Sequence, residues 1–398
     1  MSWKRNLVVI WLSQFLSIMG FAFALPFAPY FIQELGVSDP SELTMWIAAF
    51  AAATPLSLAI FSPIWGALAD RYGRRAMLMR ANFAGWIVMS MMGGVQSVQA
   101  LILLRFLQGV FTGTMTAAQA LVASTAPEER SGLALGALSA AVFSGGMVGS
   151  FLGGVCSYYL GYRAAFFASG FLLLASGLLV LFGTREHFVR PLPAHHAPLE
   201  DIRHMLRGAS LPILLLIMAI AFVRQFDSAY VPLLVQEIHG KLEGVSLWSG
   251  FLAASCGIAG LLAGVILGRL SDRYPPARIG QLSAFGAALL MIPQGLAQGF
   301  LLLFAARFGM VFWSGGLDPV FQIWLSRVTP PKRHGMVFGW AATARSLGWM
   351  ASPIVAAAVV SQLGIRWIFF IGGVMFLALI PGISLVVHHA LRRGHSAK

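Results

Sequence analysis

The sequence predicts an all-α polytopic membrane protein with 12 transmembrane helices, built as two pseudo-symmetric six-helix halves. Three observations carry that expectation. Of its 398 residues, 58% are hydrophobic and only 10% charged, whereas a soluble domain carries charge on about a quarter of its residues. Apolar stretches of the ~20 residues needed to cross a bilayer core follow one another almost without interruption. The chain also repeats itself at one fixed offset.

A spanning-helix window gives spans 1 to 12 at 7–33, 43–69, 76–95, 98–122, 133–160, 163–183, 211–237, 247–271, 279–297, 300–327, 335–362 and 365–388. A formal charge of +13 raises the question of a nucleic-acid partner. The placement of the 27 Lys and Arg answers it. With both termini cytoplasmic, 20 fall on the inner side or toward the inner ends of spans, three (Arg163, Lys241 and Arg366) fall on the outer side or at outer span ends, and four lie deeper within spans. That asymmetry is the positive-inside rule, so the basic excess faces a lipid bilayer and calls for no nucleic acid. The apolar run after MSWKRN reaches Ile32, too long for the core of a cleavable signal peptide, which predicts a retained first helix. Cys156 and Cys256 both fall in predicted spans, so no disulfide framework, metal centre or cofactor is expected from them.

The repeat runs at an offset of 202 or 203 along the whole chain. Pro29, Gln33 and Glu34 return as Pro232, Gln236 and Glu237, GALADRY at Gly66 as GRLSDRY at Gly268, Arg105 as Arg307, and LGYRAAFF at Leu160 as LGIRWIFF at Leu363. An internal repeat of this length implies two homologous halves, 1–183 and 211–398, each of six helices. The stretch between them, 184–210, carries three prolines and four histidines and reads as a cytoplasmic linker. His195, His196 and His204 are better explained as solvated linker residues than as metal ligands. Repeated halves of this kind are the architecture of transporters that hold a small-molecule substrate near the bilayer midplane.

GALADRYGRR, between spans 2 and 3, resembles the signature loop of the major facilitator superfamily. The resemblance implies a conformational gate formed by Gly66, Asp70, Arg71, Gly73, Arg74 and Arg75, echoed by Asp272 and Arg273, although Pro275 and Pro276 replace the Gly-Arg segment in the second copy. Asp70 at a helix end could pair with a basic group or accept a neighbouring helix's N-terminal amides. Arg105 in LILLRFLQG is similar to the fourth-helix arginine motif of proton-coupled members. In span 5, Gly145, Gly149, Gly153 and Gly154 resemble the glycine-rich antiporter motif, with Ser150 standing where the family has proline. The resemblance covers all twelve spans and is strongest to the drug:proton antiporter branch. It implies a proton-coupled exporter in a bacterial cytoplasmic (inner) membrane, working as a monomer with protons and a small molecule as partners.

Intramembrane charges are costly and normally mark a pathway or a pair. Asp227 in span 7 and Asp318 in span 10 answer by the offset to Ala24 and Met115, and Arg345 in span 11 answers to Val142, so none of the three is inherited from the repeat. Asp227 lies three residues after Arg224, one helical face away, which predicts a structural pair. Asp318, with Arg345 as its prospective basic partner, is the expected coupling carboxyl. Phe21, Phe23, Trp313, Trp324, Trp340 and Trp349 are candidates for the apolar wall of a substrate cavity. The alternative is a dedicated exporter of one polar metabolite, such as a siderophore or sugar derivative; the extra Arg224, Arg345, Asp227 and Asp318 suit a charged substrate better than an apolar one. A membrane enzyme has no support from motifs: no phosphate-binding loop, HExxH or catalytic cluster is present.

The topology is tested with single cysteines in a background lacking Cys156 and Cys256. Cysteines at Lys4, His195 and Lys398 should resist an impermeant maleimide added to intact cells, and one at Lys241 should react. Labelling of the linker from outside reverses the orientation.

Overall fold

The structure, a computed structural model, describes residues 3–125, 127, 130–186, 210–317 and 334–395. Among them every regular element is a helix, and eight helices are long and apolar enough to cross a membrane, the one over Ala134–Gly183 covering two predicted spans. Among the described residues each of the twelve predicted spans coincides with helix, but four are interrupted, span 10 after Ser314 by a turn at Gly315 and Gly316. Span 1 runs Trp3–Ala24, tightens into a 3-10 turn at Leu25–Phe27 and resumes over Ala28–Glu34; Pro26 and Pro29 there remove two amide donors. Span 4 breaks between Val98–Phe111 and Thr114–Thr125 at Gly113, whose φ of +120° favours glycine. Span 7 breaks between Ser210–Gln225 and Val231–His239, just ahead of Pro232. Spans 5 and 6 form one run, Ser131–Gly183, that turns at Gly161 with φ +83°.

Span 2, Pro40–Tyr72, shows how a boundary is written locally. Asp39 caps it by accepting from the Glu42 amide at 2.8 Å and the Ser41 hydroxyl at 2.5 Å, and Pro40 occupies the first turn, where its missing N–H costs nothing. Those bonds, the Ser41 hydroxyl foremost, hold the Asp39 carboxyl below its ordinary range.

The chain divides into two compact units, Met1–Leu192 with Tyr230–Leu261, and Pro193–Ala229 with Leu262–Lys398. In the first, span 1 lies along spans 5 and 6, and hydroxyl groups fasten it on the side of spans 3 and 6. Ser176 meets Ser13 at 2.7 Å and Ser17 at 2.8 Å, and Ser17 donates to Asn82 Oδ1 at 2.6 Å. Lipid offers no alternative partners to such groups, which is why they hold helices together. Gln33 and Gln236, counterparts in the repeat, exchange side-chain amide hydrogen bonds of 2.8 and 2.9 Å. Tyr30 donates to Pro232 O at 2.7 Å and lies 2.6 Å from the Ser249 hydroxyl.

The duplication is visible as duplicated contacts. Arg163 donates to the carbonyls of Gly93 and Val95 at the end of span 3; in the second unit Arg366 donates to those of Gly295 and Ala297 at the end of span 9. These carbonyls have no intrahelical partner and carry the negative end of the helix dipole, so an arginine satisfies both needs. A Cβ on Gly145 or Gly149 would collide with the carbonyls of Phe15 and Met19, while one on Gly348 would collide with that of Met218, and Ser352 donates to Phe222 O at 2.6 Å.

The close approach predicts a sharp contrast within one helix. Gly153→Ala, whose methyl would strike the Phe23 backbone, should cost about 1–3 kcal/mol or more. Gly136→Ala, with open space around it, should be neutral or stabilise by up to about 1 kcal/mol. Thermal denaturation of the purified variants in detergent checks the pair.

Candidate functional site: the loop between spans 2 and 3 and three arginines within the spans

Gly73 divides span 2 from span 3: with φ +88° it donates its amide to Ala69 O at 3.0 Å, and the next helix begins at Arg74. The exposed amides of Arg74 and Arg75 at the start of span 3 both donate to the Glu186 carboxylate, at 3.0 and 2.8 Å, an anion at a helix N-terminus. The Arg75 side chain returns the contact by donating to Thr184 Oγ1 at 3.1 Å and Leu181 O at 2.6 Å. The loop is thereby clasped to the end of span 6. Glu186 lies in the stretch assigned to the linker, and sequence reasoning does not single it out. Gly66 is exposed, and Arg71, also exposed, stands 5.5 Å from the Tyr72 ring. Arg273 is exposed at the end of span 8. The side chains of Asp70 and Asp272 lie outside what the structure describes.

Arg105 lies inside the first unit with its guanidinium 4.7 Å from the Phe50 ring. It donates to Gln108 Oε1, its Nε is buried without an acceptor, and among the described residues it has no carboxylate partner. Arg80 is the constituent that the sequence does not announce. Its guanidinium lies 3.4 Å from the Trp65 ring, Nη2 donates to Thr112 O at 3.2 Å, and Nε and Nη1 are buried without acceptors. Trp65 in turn donates Nε1–H to Val110 O at 2.5 Å. Together they satisfy carbonyls freed where span 4 breaks. The break at Gly113 was the available signal, because non-helical backbone at membrane depth needs partners from the protein.

In the second unit the repeat counterpart of Arg105 is arranged differently. Arg307 donates to Asp227 Oδ2 within a buried ion pair and to Gln294 Oε1 at 3.3 Å. This corrects the expected Asp227–Arg224 couple. Span 7 ends as a helix at Gln225, so Asp227 leaves the face it would have shared with Arg224, which stays in the last helical turn. Arg345 is half-buried in the helix His334–Leu363. Asp318 and Trp324 lie outside the described residues. Of the other aromatics, Phe23 meets Gly153 with its backbone, whereas the Trp313 ring packs at Gly286, a close helix contact.

The four glycines of span 5 divide their work. Gly145, Gly149 and Gly153, four residues apart, present one face to the carbonyls of Phe15, Met19 and Phe23 in span 1, while Gly154 meets Ser246 O and Gly250 of span 8. Such contacts are van der Waals packing between bare backbones. The helix runs through Ser150 without a break.

A helical multi-pass membrane protein with repeated halves, interrupted spans and buried arginines is a transporter of small molecules and not an enzyme. The chain belongs to the Major Facilitator Superfamily, whose family model matches residues 10–300 and 249–397. It is 33% identical to the multidrug resistance protein MdtG of Klebsiella pneumoniae (strain 342), over 96% of this chain and 94% of that one. It is 34% identical to MdtG of Salmonella paratyphi A (strain ATCC 9150 / SARB42), over 96% of both chains. A mutant of the nucleoside transporter NupG shares the fold with a TM-score of 0.78 at 12% identity, covering 97% of this chain and all (100%) of that one. The human organic anion transporter MFSD10 does so with a TM-score of 0.71 at 16% identity, covering 96% of this chain and 100% of its own.

The Arg307–Asp227 pair yields a direct test. Asp227→Asn leaves a buried guanidinium without its counter-charge and should cost about 3–5 kcal/mol, read as a lowered melting temperature and poor expression. Adding Arg307→Gln should recover part of that loss; no recovery would show that the pair does not act as a unit.

Proposed function

We propose that the protein is a secondary exporter that expels amphipathic, drug-like compounds against inward proton flow, as a monomer in a bacterial inner membrane with both termini cytoplasmic. The observation that carries this reading is the glycine face of span 5 seated on the backbone of span 1, in a chain a third identical to proteins named for multidrug resistance. The halves 1–183 and 211–398, joined by 184–210, rock about a central substrate, and the Gly66–Arg75 loop with Asp272 and Arg273 stabilises one of the two states. Asp318 carries the proton, exchanging it against a basic partner such as Arg345, because a carboxyl in a low dielectric titrates nearer neutrality. A second reading, export of one polar or anionic metabolite, is favoured by Arg105, a half-buried cation within a span with no carboxylate partner among the described residues.

Inverted membrane vesicles distinguish the two. Under an imposed pH gradient, acid inside, wild-type vesicles should accumulate ethidium, and Asp318→Asn should abolish that uptake while leaving downhill exchange of a neutral substrate measurable. Unaltered pH dependence in Asp318→Asn removes the residue from coupling. Absence of ethidium uptake by the wild type, with uptake of a carboxylate or sugar derivative lost in Arg105→Gln, replaces the first reading by the second.

A further inference from the structure

Where span 5 turns into span 6, Ser157, Tyr158, Tyr159 and Tyr162 join Leu242, Glu243, Gly244 and Ser246 of the loop before span 8 to line a cavity of about 610 Å³. That is room for a drug-sized molecule. All of its wall belongs to the first compact unit, at the end that the positive-inside count turns outward. The Tyr158 and Tyr159 rings meet edge to face with centroids 4.8 Å apart, and both remain accessible, at 42% and 73%. Two perpendicular aromatic faces beside a carboxylate form half of a cage of the kind that recognises quaternary ammonium groups.

The wall is built rather than incidental. Gly240 and Gly244, with φ of +76° and +81°, fold the loop tightly, and His239 Nε2 lies 2.9 Å from Glu243 O, fixing its course. A Cβ on Gly244 would touch the Tyr158 ring at 3.8 Å, so the loop rests on that tyrosine. Ser157 is only 5% exposed, and its hydroxyl is buried in this wall with no hydrogen-bond partner, leaving an open polar position. Among the described residues that line the cavity none is basic. A second carboxylate, Glu34, acts on Tyr162 through its charge, and its neighbour Arg163, 4.0 Å away, spends Nη1 on the Gly93 and Val95 carbonyls. Interfacial tyrosines usually face the headgroups singly; three around one cavity with an acid require a ligand-based account.

We propose that this cavity binds an amphipathic organic cation, an aryl-bearing phosphonium or quaternary ammonium, at the outer face of the protein. The aromatic rings take the cation's faces, Glu243 supplies the counter-charge, and Leu242 covers apolar substituents. Its role as a release station rests on the export reading above, whereas its binding does not.

The test is equilibrium dialysis of the purified full-length protein with tetraphenylphosphonium, alongside the neutral triphenylphosphine oxide. Tyr158→Ala should weaken cation binding about five- to tenfold, and Glu243→Gln about threefold, with the latter effect shrinking at high salt. Tyr158→Phe should bind like wild type because the π face is kept, and Glu243→Gln should leave the neutral probe unaffected. Unchanged melting temperatures keep a folding defect from mimicking the result. Wild-type protein that does not bind the cation, or variants that all bind it equally, overturn the proposal. Variant-sensitive binding without pH-driven transport of the cation upholds the site and overturns only its part in export.

Discussion

Inside the bilayer there is no water to complete a hydrogen bond or solvate a charge, and almost every distinctive contact of this protein answers to that constraint. Serine hydroxyls on spans 1 and 6 bond to one another and to Asn82. Arg163 and Arg366 bind the last carbonyls of spans 3 and 9. Where a span breaks, a side chain arrives to take the freed backbone group, as Arg80 and Trp65 do at Thr112 and Val110. The glycine faces follow from the other side of the same constraint. With lipid as apolar as leucine, helices adhere through close backbone packing, and only glycine lets span 5 lie on the carbonyls of span 1.

The duplicated arginine shows how one inherited charge acquires two roles. Arg307 is met by Asp227 and Gln294, so its charge is neutralised where it stands. By the repeat offset, the positions that would supply those partners to Arg105 hold Ala24 and Met92. Arg105 is left with Gln108 and the Phe50 ring, partners that orient a cation without cancelling it. Among the described residues the half-buried Arg105 thus has no carboxylate beside it, whereas the paired Arg307 holds its helices together.

Among the described residues, interruptions divide spans 1, 4, 7 and 10. A continuous helix hides its backbone, whereas a broken one exposes carbonyls and amides that must be paired by side chains able to change partners. The clasp between Arg75, Glu186 and the end of span 6 is of the same kind, a set of charge-assisted bonds at helix ends that can open without disturbing apolar packing.

Sequence by itself determined the helical membrane class, the repeat and the helix count, since hydropathy and self-similarity are properties of the chain alone and the bilayer converts them directly into spans. It also marked the glycines of span 5, because a four-residue spacing of the smallest side chain leaves little else for a helix face to do. It could not choose the partner of Asp227. Spacing on an unbroken helix named Arg224, but the helix ends at Gln225 and the choice fell to Arg307, eighty positions away. It passed over Arg80, Trp65 and Glu186 for the same reason: each acts on backbone groups of another segment, and no local pattern records which carbonyl or amide a fold will leave unpaired. Those groups come into being only where helices end or break, and the tertiary structure alone decides which side chain stands beside them.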